Sequence, residues 1–496
     1  MGAVDGPPFR HGVASGDPRP DGVVLWTRVT GAGARSVPVE WWVADPDAPG
    51  HAVATGEVRA SPEHDHTVHV DVDGLEPGRR YAFGFRAAGH ESPQGRTRTA
   101  PAGPTEHLRV GLVSCASWVC GHFNAYGRLA DRDLDVVVHV GDYIYDDDTT
   151  RARPVRAHDP PGKVRTLQEY RARHAQYRTD PDLQALHASA PVVAVWDDHE
   201  VANNAWRDGA SGHDPDEDGP WAVRREAATR AYFEWLPVRR PDPADPVRVY
   251  RSLAFGDLVD LVMLDARLVG REEPVKTGKR ASATVPDGDR SLLGDAQRAW
   301  LHDVLRSSTA RWRLVGNQVM LAPLRAVPLP RPLQWLFGRG LVGDGVGVNP
   351  GQWDGYPEER ERLLRFLVDE RIRDVVVLTG DIHSSWASEL TVEPDEGTPV
   401  AVEVVGPSIT TDAFSLRAVP SLPGAVALAA RSVRRANPHH RWFELRSHGY
   451  VVVDVTPDRL RADWWHVDSI RDRSPVEHRA ASFEVAAGSA RWVRRA

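Results

Sequence analysis

Lysine is nearly absent from this chain of 496 residues, so positive charge is carried almost entirely by arginine. The only lysines are Lys163, Lys276 and Lys279. Such a bias is typical of GC-rich coding, but it also supplies planar guanidinium groups, which bind phosphate or carboxylate through two parallel hydrogen bonds. The net charge of −8 indicates that nucleic acid is not the expected partner, and no basic patch that would bind it is evident.

Cysteine is equally scarce. Cys115 and Cys120 are the only two, and a single pair excludes a disulfide framework. We expect Cys120 to be an inert buried thiol. Cys115 differs because it directly ends a predicted β-strand, and a thiolate at such a position suits a ferric or zinc ion better than magnesium alone.

Long apolar runs are also missing. No stretch approaches the roughly 20 apolar residues of a membrane-spanning helix. Residues 1–10 lack the charged and apolar regions of a signal peptide. We therefore expect no transmembrane segment, and a protein that either stays inside the cell or is seen here in its processed form.

Acidic and histidine motifs follow four predicted β-strands, each of which is an apolar, β-branched run. In an open α/β sheet, ligands bind at the carboxyl ends of the strands. Carboxylates brought together there repel one another unless a positive charge lies between them, and a metal cluster supplies that charge. The motifs are Val113-Ser114-Cys115 after Leu108 to Val113, Gly141-Asp142-Tyr143-Ile144-Tyr145 after Val136 to Val140, Asp197-Asp198-His199-Glu200 after Val192 to Val195, and Gly380-Asp381-Ile382-His383 after Val375 to Leu378.

Three residues of this part of the chain have structural interpretations. Asp197 adjoins Asp198, so in a strand its side chain points to the opposite face. We expect Asp197 to hydrogen-bond loop backbone rather than to bind metal. Tyr143 and His139 are expected to be core residues with satisfied hydrogen bonds.

The chain divides near residue 105. Residues 1–105 contain short strands at regular intervals, several of which alternate apolar and polar residues as half-buried antiparallel strands do. The turn Gly74-Leu75-Glu76-Pro77-Gly78, followed by Tyr81, is typical of a tyrosine corner in a fibronectin-like or Ig-like β-sandwich. No cluster of reactive groups lies there, so we interpret this domain as a structural or positioning module.

Residues 106–496 form the second predicted domain, in which strands alternate with helices. Strands with apolar neighbours on both sides indicate α/β sheets that are covered on both faces. Helices are predicted at 164–178, 221–236, 295–306 and 357–369; further strands at 258–264, 312–315 and 400–405; and a hairpin at 450–455 and 460–465.

Two loops stand out in the second domain. Residues 208–220 are rich in glycine and aspartate but lack the ligand spacing of an EF-hand, which favours a solvated loop over a calcium site. Residues 322–352 are rich in proline, glycine, leucine and tryptophan. This loop is predicted either to form a lid or apolar wall beside the site or to pack against a neighbouring surface.

Taken together, the motifs resemble those of the PhoD-type alkaline phosphatases and phosphodiesterases of the metallophosphoesterase superfamily. Each motif is short, but their joint order and spacing is specific. The matching stretches are Phe9 to Pro18, Leu25 to Arg28, Val113 to Ser117, Gly141 to Tyr145, Trp196 to Asn204, Leu264 to Arg267, Gly316 to Gln318, Trp353 to Pro357 and Gly380 to Ser385.

The resemblance implies an N-terminal β-sandwich followed by a four-layered αββα metallophosphatase domain. It also implies a centre of two or three metals that contains Fe³⁺ and Ca²⁺. Cys115, Asp142 and Tyr145 would bind the ferric ion, and Asp142 would bridge to the second metal. The remaining ligands implied by the family are Asp198, Asn317, Asp381 and His383, whose division between the metals stays open.

The second metal is expected to be a hard cation. The related purple acid phosphatases place asparagine where this chain has Asp198, and histidine where it has Asn317 and Asp381. More oxygen and less nitrogen in the ligand set favours calcium.

The implied reaction is hydrolysis of phosphate monoesters or diesters by a metal-bound hydroxide, without a protein nucleophile. His199 is placed to bind the phosphate or to protonate the leaving group. Its other interpretation is a residue that only hydrogen-bonds the ligands. Arg267 is expected either to clamp a phosphate or to form a structural ion pair with Asp265.

Two other functions stay open at this point. One is a phospholipase D-like phosphodiesterase on the same fold, whose loop 322–352 would meet lipid. The other is a non-enzymatic binding protein with a degenerate centre, against which the intact ligand set argues. The resemblance implies a secreted or cell-surface enzyme, whereas the missing signal peptide leaves a cytoplasmic location open.

Overall fold

Two large β-sheets and the helices packed on them make up most of the computed structural model. It describes residues 6–48, 50–149, 153–275, 290–325, 349–393, 397–412 and 425–495, with the backbone of two further short strands. The helices are α1 (Asn124–Ala130), α2 (Leu167–Tyr177), α3 (Pro181–Ser189), α4 (Pro215–Asp218), α5 (Trp221–Trp235), α6 (Gly294–Ser307), α7 (Pro357–Asp369) and α8 (Ala425–Ala436).

The described strands include the predicted ones, to within one or two residues at each end, together with strands that were not predicted. They are β1 (Val13–Arg19), β2 (Gly22–Arg28), β3 (Val37–Ala44), β4 (Ala52–Ala60), β5 (Thr67–Val72), β6 (Arg80–Ala87), β7 (His90–Glu91), β8 (Gly95–Arg98), β9 (Leu108–Val113), β10 (Val136–His139), β11 (Val192–Ala194), β12 (Ala205–Trp206), β13 (Gly209–Ala210), β14 (Arg251–Phe255), β15 (Val259–Met263), β16 (Trp312–Asn317), β17 (Val327–Pro328), β18 (Val342–Gly343), β19 (Val375–Thr379), β20 (Ser385–Leu390), β21 (Ala401–Val405), β22 (His440–Glu444), β23 (Gly449–Val455), β24 (Arg459–Val467), β25 (Glu477–Ala486) and β26 (Val493–Arg495).

The first large sheet has ten strands in the order β26-β25-β24-β23-β9-β10-β11-β1-β2-β5. At its centre β9, β10 and β11 run parallel, so their carboxyl ends lie at one edge. The predicted hairpin near the end of the chain is confirmed as the antiparallel pair β23 and β24.

The N-terminal region is joined to this sheet rather than separate from it. Strand β1 pairs in parallel with β11, with Gly16 opposite Val192, and β2 and β5 follow it. A side chain at Gly16 would meet the carbonyl oxygens of Val192 and Pro237 at 2.5 and 2.2 Å, so this crossing of chains requires glycine. The sequence did not reveal this pairing, because the partner strands are far apart in the chain.

A second N-terminal sheet, of β4, β3, β6, β7 and β8, covers one face of β1, β2 and β5. Both layers contribute to one apolar core, for example through Leu25 and Phe83. The hydroxyl of Tyr81 accepts a hydrogen bond from the Glu76 N–H at 2.9 Å, which matches the predicted tyrosine corner. A sandwich is thus present, but one of its layers continues into the ten-stranded sheet. The domain boundary near residue 105 stays a prediction.

The second large sheet has seven strands in the order β14-β15-β16-β19-β21-β20-β22. Its side chains alternate between two cores. Leu261, Leu314 and Val376 share a core with residues of the ten-stranded sheet. On the opposite face, residues such as Val377 pack with α6 and α7. Both faces are therefore apolar, as the continuous apolar runs predicted.

The two unusual loops have different outcomes. In the acidic loop 208–220, Asp214, Asp216 and Glu217 are exposed, as expected of a solvated loop. The side chain of Asp218 is instead buried and forms ion pairs, among them one with Lys163 at 2.9 Å. Most of the loop 322–352 lies outside the described residues, so its predicted role as a lid or wall stays a prediction. Within the described ranges, none of the helices is long and apolar enough to cross a membrane.

Candidate metal centre

The four motifs meet where the two large sheets approach each other. Val113, His139 and Ala194 lie in register at the ends of β9, β10 and β11. The fourth motif follows β19 of the other sheet, where a side chain on Gly380 would lie 2.5 Å from the Ser114 hydroxyl. Ligands from both sheets therefore converge at one point, as the strand-end argument predicts.

The backbone at this point is strained. Cys115, Asp142, Asp381 and His383 have φ angles of 61°, 55°, 62° and 54°. Left-handed geometry is unfavourable for residues with a side chain, and such strain clusters at functional sites. Each of these four residues turns its chain sharply just after a strand.

Four of the residues form what we call the thiol half of the centre: Cys115, Asp142, Tyr145 and His383. Ligand atoms of Cys115, Asp142 and His383 all lie within 4.8 Å of one another. The Tyr145 hydroxyl donates to Asp142 Oδ2 at 2.7 Å and lies 3.4 Å from His383 Nε2. The family resemblance implied Cys115, Asp142 and Tyr145 as one group and left the position of His383 open, and their role as metal ligands stays a prediction.

Burial favours the protonated forms of the Cys115 thiol and the Tyr145 hydroxyl in the thiol half. It raises the pKa of the Cys115 thiol well above its usual value, and the nearby Asp142 adds to the effect. Burial likewise raises the pKa of Tyr145, again with help from Asp142. The pKa of Asp142 is itself raised by burial and by neighbouring carboxylates. A thiolate and a phenolate form here only if a cation lies beside them.

A loop after β21, residues 406–412, supports the thiol half and was missed by the sequence. The Thr411 hydroxyl lies 2.6 Å from the Tyr145 hydroxyl and 2.8 Å from the Cys115 carbonyl oxygen. The Asp412 carbonyl oxygen lies 3.2 Å from His383 Nδ1. The loop reads Gly-Pro-Ser-Ile-Thr-Thr-Asp and has no metal-ligand pattern, so its sequence carries no signal of this role.

The guanidinium half of the centre contains Asp197, Asp198, Asp381 and Arg267. Ligand atoms of the three aspartates lie within 4.8 Å of one another. The Arg267 guanidinium forms ion pairs with Asp197 and Asp381, and lies 3.3 Å from Asp198 Oδ1. Burial raises the pKa of Asp197, whereas Arg267 and His199 outweigh burial at Asp198 and lower its pKa to about 2.

Two expectations are corrected in this half. Asp197 does not hydrogen-bond loop backbone; its carboxylate pairs with Arg267. Asp265 does not form an ion pair with the Arg267 side chain, because its carboxylate accepts hydrogen bonds from the Arg267 and Leu268 N–H groups at 2.7 and 2.8 Å. The chain turns back at Asp265, which frees the guanidinium to reach the aspartates.

His199 lies on the partly exposed side of the centre, as do Asp381 and His383. Its ring stacks on Tyr145 with a centroid distance of 4.3 Å and an angle of 28°. Burial by itself lowers the pKa of His199, but the surrounding carboxylates, above all Asp198, raise it well above the usual value. A phosphate that enters from solvent meets this side first.

Glu200 links two of the motifs through hydrogen bonds, a role that the sequence did not reveal. Its buried carboxylate accepts hydrogen bonds from three backbone N–H groups: Tyr143 at 2.6 Å, Asp197 at 2.8 Å and Asp142 at 3.0 Å. These bonds hold the strained backbone of Asp142 beside the following motif. The acidic residue was visible in the sequence, but its partners were not.

The other predicted residues have the following partners. The Asn317 amide donates to the Val319 carbonyl oxygen, and its Oδ1 accepts from Trp353 Nε1 at 3.4 Å. Asn317 ends β16 on the face toward α6 and α7, so its place as a ligand stays a prediction. His139 is a core histidine as expected, bonded to the Tyr126 hydroxyl at 2.9 Å. Cys120 is buried as expected.

The donor set fits metal cations. Buried carboxylate oxygens of Asp197 and Asp198 have no hydrogen-bond partner in the described contacts. The sulfur of Cys115, the phenol of Tyr145, the imidazoles of His199 and His383 and several carboxylates lie close together there. Such groups are costly to bury together unless cations neutralise them.

Comparisons with known proteins agree with this geometry. A family model described as "PhoD-like phosphatase" matches residues 110–464, and one described as "PhoD-like phosphatase, N-terminal domain" matches residues 2–101. The chain is 36% identical over 498 residues to alkaline phosphatase D of Bacillus subtilis (strain 168), with 96% of this chain and 80% of that protein covered. A solved structure of PhoD matches with a TM-score of 0.88 and 33% identity, over 100% of this chain and 94% of that chain. The chain therefore belongs to the PhoD-like phosphatase family.

Proposed function

We propose that this protein is a metal-dependent phosphoric ester hydrolase that acts on phosphate monoesters, diesters or both. The observation that carries the proposal is the convergence of Cys115, Asp142, Tyr145, Asp198 and Asp381 at one strained, buried point in a chain of the PhoD-like phosphatase family. The alkaline phosphatase D relative bears a phosphatase name, which supports the same reaction here.

The proposed metals are Fe³⁺ in the thiol half and Ca²⁺ in the guanidinium half. Sulfur and phenolate donors suit ferric iron, and carboxylate oxygens suit a hard cation such as calcium. Asp142 reaches both halves, since its ligand atoms group with those of Cys115 and also with those of Asp198. It is therefore the proposed bridging ligand.

When bound, the cations would polarise the phosphate and lower the pKa of a water molecule. The chain's own residues orient the ester and supply a proton. Arg267 holds Asp198 and Asp381 in place. Its guanidinium is fully buried, so we assign it to the support of ligands rather than to a free phosphate clamp. His199, on the exposed side, is the proposed acid for the leaving oxygen.

The packing supports a four-layered αββα catalytic domain. Gly111 of β9 faces Leu129 of α1, whereas the next residue, Leu112, lies against Gly406 beside the other sheet. The seven-stranded sheet carries α6 and α7 on its outer face. These contacts support the proposed order helix, sheet, sheet, helix. A secreted or cell-surface location stays a prediction from the family resemblance.

The test combines metal analysis of the purified protein with a substrate panel. Phosphomonoesters, phosphodiesters and phospholipids are assayed before and after removal of metal by chelation, and again after Fe³⁺ and Ca²⁺ are restored. We expect hydrolysis of monoesters or diesters that disappears on chelation and returns with the metals. Activity that survives complete metal removal would refute the proposal. Hydrolysis confined to phospholipids would favour the phospholipase D-like alternative.

A further inference from the structure

A buried aspartate lies directly behind His199, although no sequence motif singled it out. Asp146 Oδ1 lies 2.8 Å from His199 Nδ1. The Asp146 side chain is 1% exposed and that of His199 is 14% exposed. The carboxylate therefore binds the imidazole from the buried side, and a ring nitrogen of His199 lies within 4.8 Å of ligand atoms of Asp142 and Asp198 at the centre.

Asp146 is itself held in place by a second buried charge. Its Oδ2 accepts a hydrogen bond from Arg224 Nη2 at 2.9 Å. Arg224 on α5 also donates to the Tyr170 hydroxyl at 3.0 Å and to the Gly212 carbonyl oxygen at 3.1 Å. With one oxygen on each partner, the carboxylate cannot rotate without loss of a charge-assisted hydrogen bond.

The imidazole is thus fixed in two directions. Stacking on Tyr145 sets the plane of the ring, and the bond to Asp146 sets its rotation within that plane. Because Nδ1–H is directed at the carboxylate, Nε2 is the nitrogen left to contact a bound ester. A carboxylate in this position also stabilises the protonated ring.

We propose that Asp146 is a positioning residue that orients His199, through Nδ1, so that Nε2–H points at the leaving oxygen of the bound ester. As the P–O bond breaks, its electron pair stays on the leaving oxygen, which takes the proton from Nε2. Neutral imidazole then keeps its Nδ1–H bond to Asp146. This inference rests on the proposed function, because it assumes phosphoester hydrolysis with His199 as the acid.

The test compares leaving groups in the metal-loaded enzyme. An aryl phosphate leaves readily without a proton, whereas an alkyl phosphate needs one. His199→Ala, Asp146→Asn and the double variant are assayed on both substrates, and metal content and melting temperature are measured for each. Asparagine keeps the size of Asp146 but has only one acceptor oxygen, so it cannot serve His199 and Arg224 together.

We expect Asp146→Asn to lose roughly 10 to 100-fold in kcat/KM on the alkyl ester, the range for loss of a partner that orients a functional histidine, and clearly less on the aryl ester. The double variant should be no slower than His199→Ala, because both changes remove one unit. Equal losses on both esters in Asp146→Asn, or additive losses in the double variant, would overturn the inference.

Two further variants keep the test decisive if Asp146→Asn does not fold. Arg224→Lys should reproduce the leaving-group selectivity in weaker form, whereas Arg225→Lys, one residue along α5, should leave both rates unchanged. If Arg224→Lys shows no selectivity, the inference fails even where Asp146→Asn does not fold. If the proposed function itself fails, with His199 not acting as the acid, the result is a different one. His199→Ala would then show no preference for aryl over alkyl esters.

Discussion

In the thiol half of the centre the single carboxylate of Asp142 lies among groups that hold their protons, whereas in the guanidinium half three carboxylates share one arginine. Burial raises the pKa values of Cys115 and Tyr145, so this thiol and this phenol keep their protons until a cation displaces them. The guanidinium half contains a permanent cation, Arg267. The thiol half therefore depends on a metal for its charged form, whereas the charge of the guanidinium half is already partly neutralised by Arg267.

The largest effect is expected when the resident cation is removed. Arg267→Gln would leave the buried Asp197 and Asp198, and the partly exposed Asp381, without their counter-ion, and removal of one partner of a buried ion pair typically costs about 3–5 kcal/mol in the free energy of unfolding. Calcium should restore part of this loss if it binds the same carboxylates. The measurement is urea unfolding with and without calcium.

Arg271→Gln is the matched control for that variant. Arg271 is also fully buried, but its hydrogen bonds go to the Ala266 and Gly351 carbonyl oxygens. It should therefore gain no calcium dependence. Equal responses of the two variants to calcium would break the distinction between the halves.

The next effect concerns the ligand that reaches both halves. Asp142→Asn should lose metal and reduce kcat/KM by more than the roughly 100-fold that loss of a ligand's partner costs. Bound metal contributes folding free energy, so the melting temperature should fall as well. Metal analysis and thermal unfolding check this, with His199→Ala as the comparison, which should mostly spare the melting temperature. Near-normal turnover in Asp142→Asn would contradict the bridging role.

A smaller effect is expected at the residue that joins the motifs. Glu200→Gln replaces one acceptor oxygen with an amide, so at least one of three buried N–H groups loses its partner, at about 1–3 kcal/mol. We expect lower metal affinity and a lower melting temperature. Glu226→Gln on the exposed surface of α5 is the control and should change neither property. Wild-type metal affinity in Glu200→Gln would show that the backbone of Asp142 needs no such support.

The two halves should also differ in pH dependence. Cation binding to the thiol half must release protons from Cys115 and Tyr145, whose pKa values are raised, so affinity there should increase with pH until both groups ionise. In the guanidinium half Asp198, with its lowered pKa of about 2, releases no proton above acidic pH, so Asp197, whose pKa burial raises, is the carboxylate of that half from which a cation must displace a proton. Iron and calcium retention, measured across a pH series, should therefore separate on acidification, with iron lost first. Parallel loss of both metals would remove the distinction.

The smallest expected change in stability accompanies a change in colour. A Tyr145 phenolate and a Cys115 thiolate on ferric iron should give a visible absorption band, which Tyr145→Phe should weaken or shift. Thr411→Val removes only the hydroxyl that contacts Tyr145 and should shift the band less. A colourless, fully active protein that contains only zinc would refute the iron assignment.

Much of the site could be predicted because each motif is local. Apolar β-branched runs specify the strands, and the residues after them must lie at the strand ends, as Cys115 and Asp142 do. The prediction for Asp197 failed because it assumed that side chains of adjacent residues point to opposite faces of the sheet. That alternation ends where the strand ends. Asp197 lies beyond β11, and its direction is set by the turn and by Arg267.

The sequence by itself determined which residue types end the central strands, the positions of α2, α5, α6 and α7, and the family, because these depend on short-range patterns in the chain. Only the tertiary structure decided which charges face one another. Arg267 and Asp381 are separated by 114 residues, and Asp146 and Arg224 by 78, so no local pattern pairs them. The continuation of the N-terminal strands into the catalytic sheet is of the same kind. Such pairings form because buried charges and strand edges need ion-pair or hydrogen-bond partners. The complete fold of the chain sets which partners are close enough to serve.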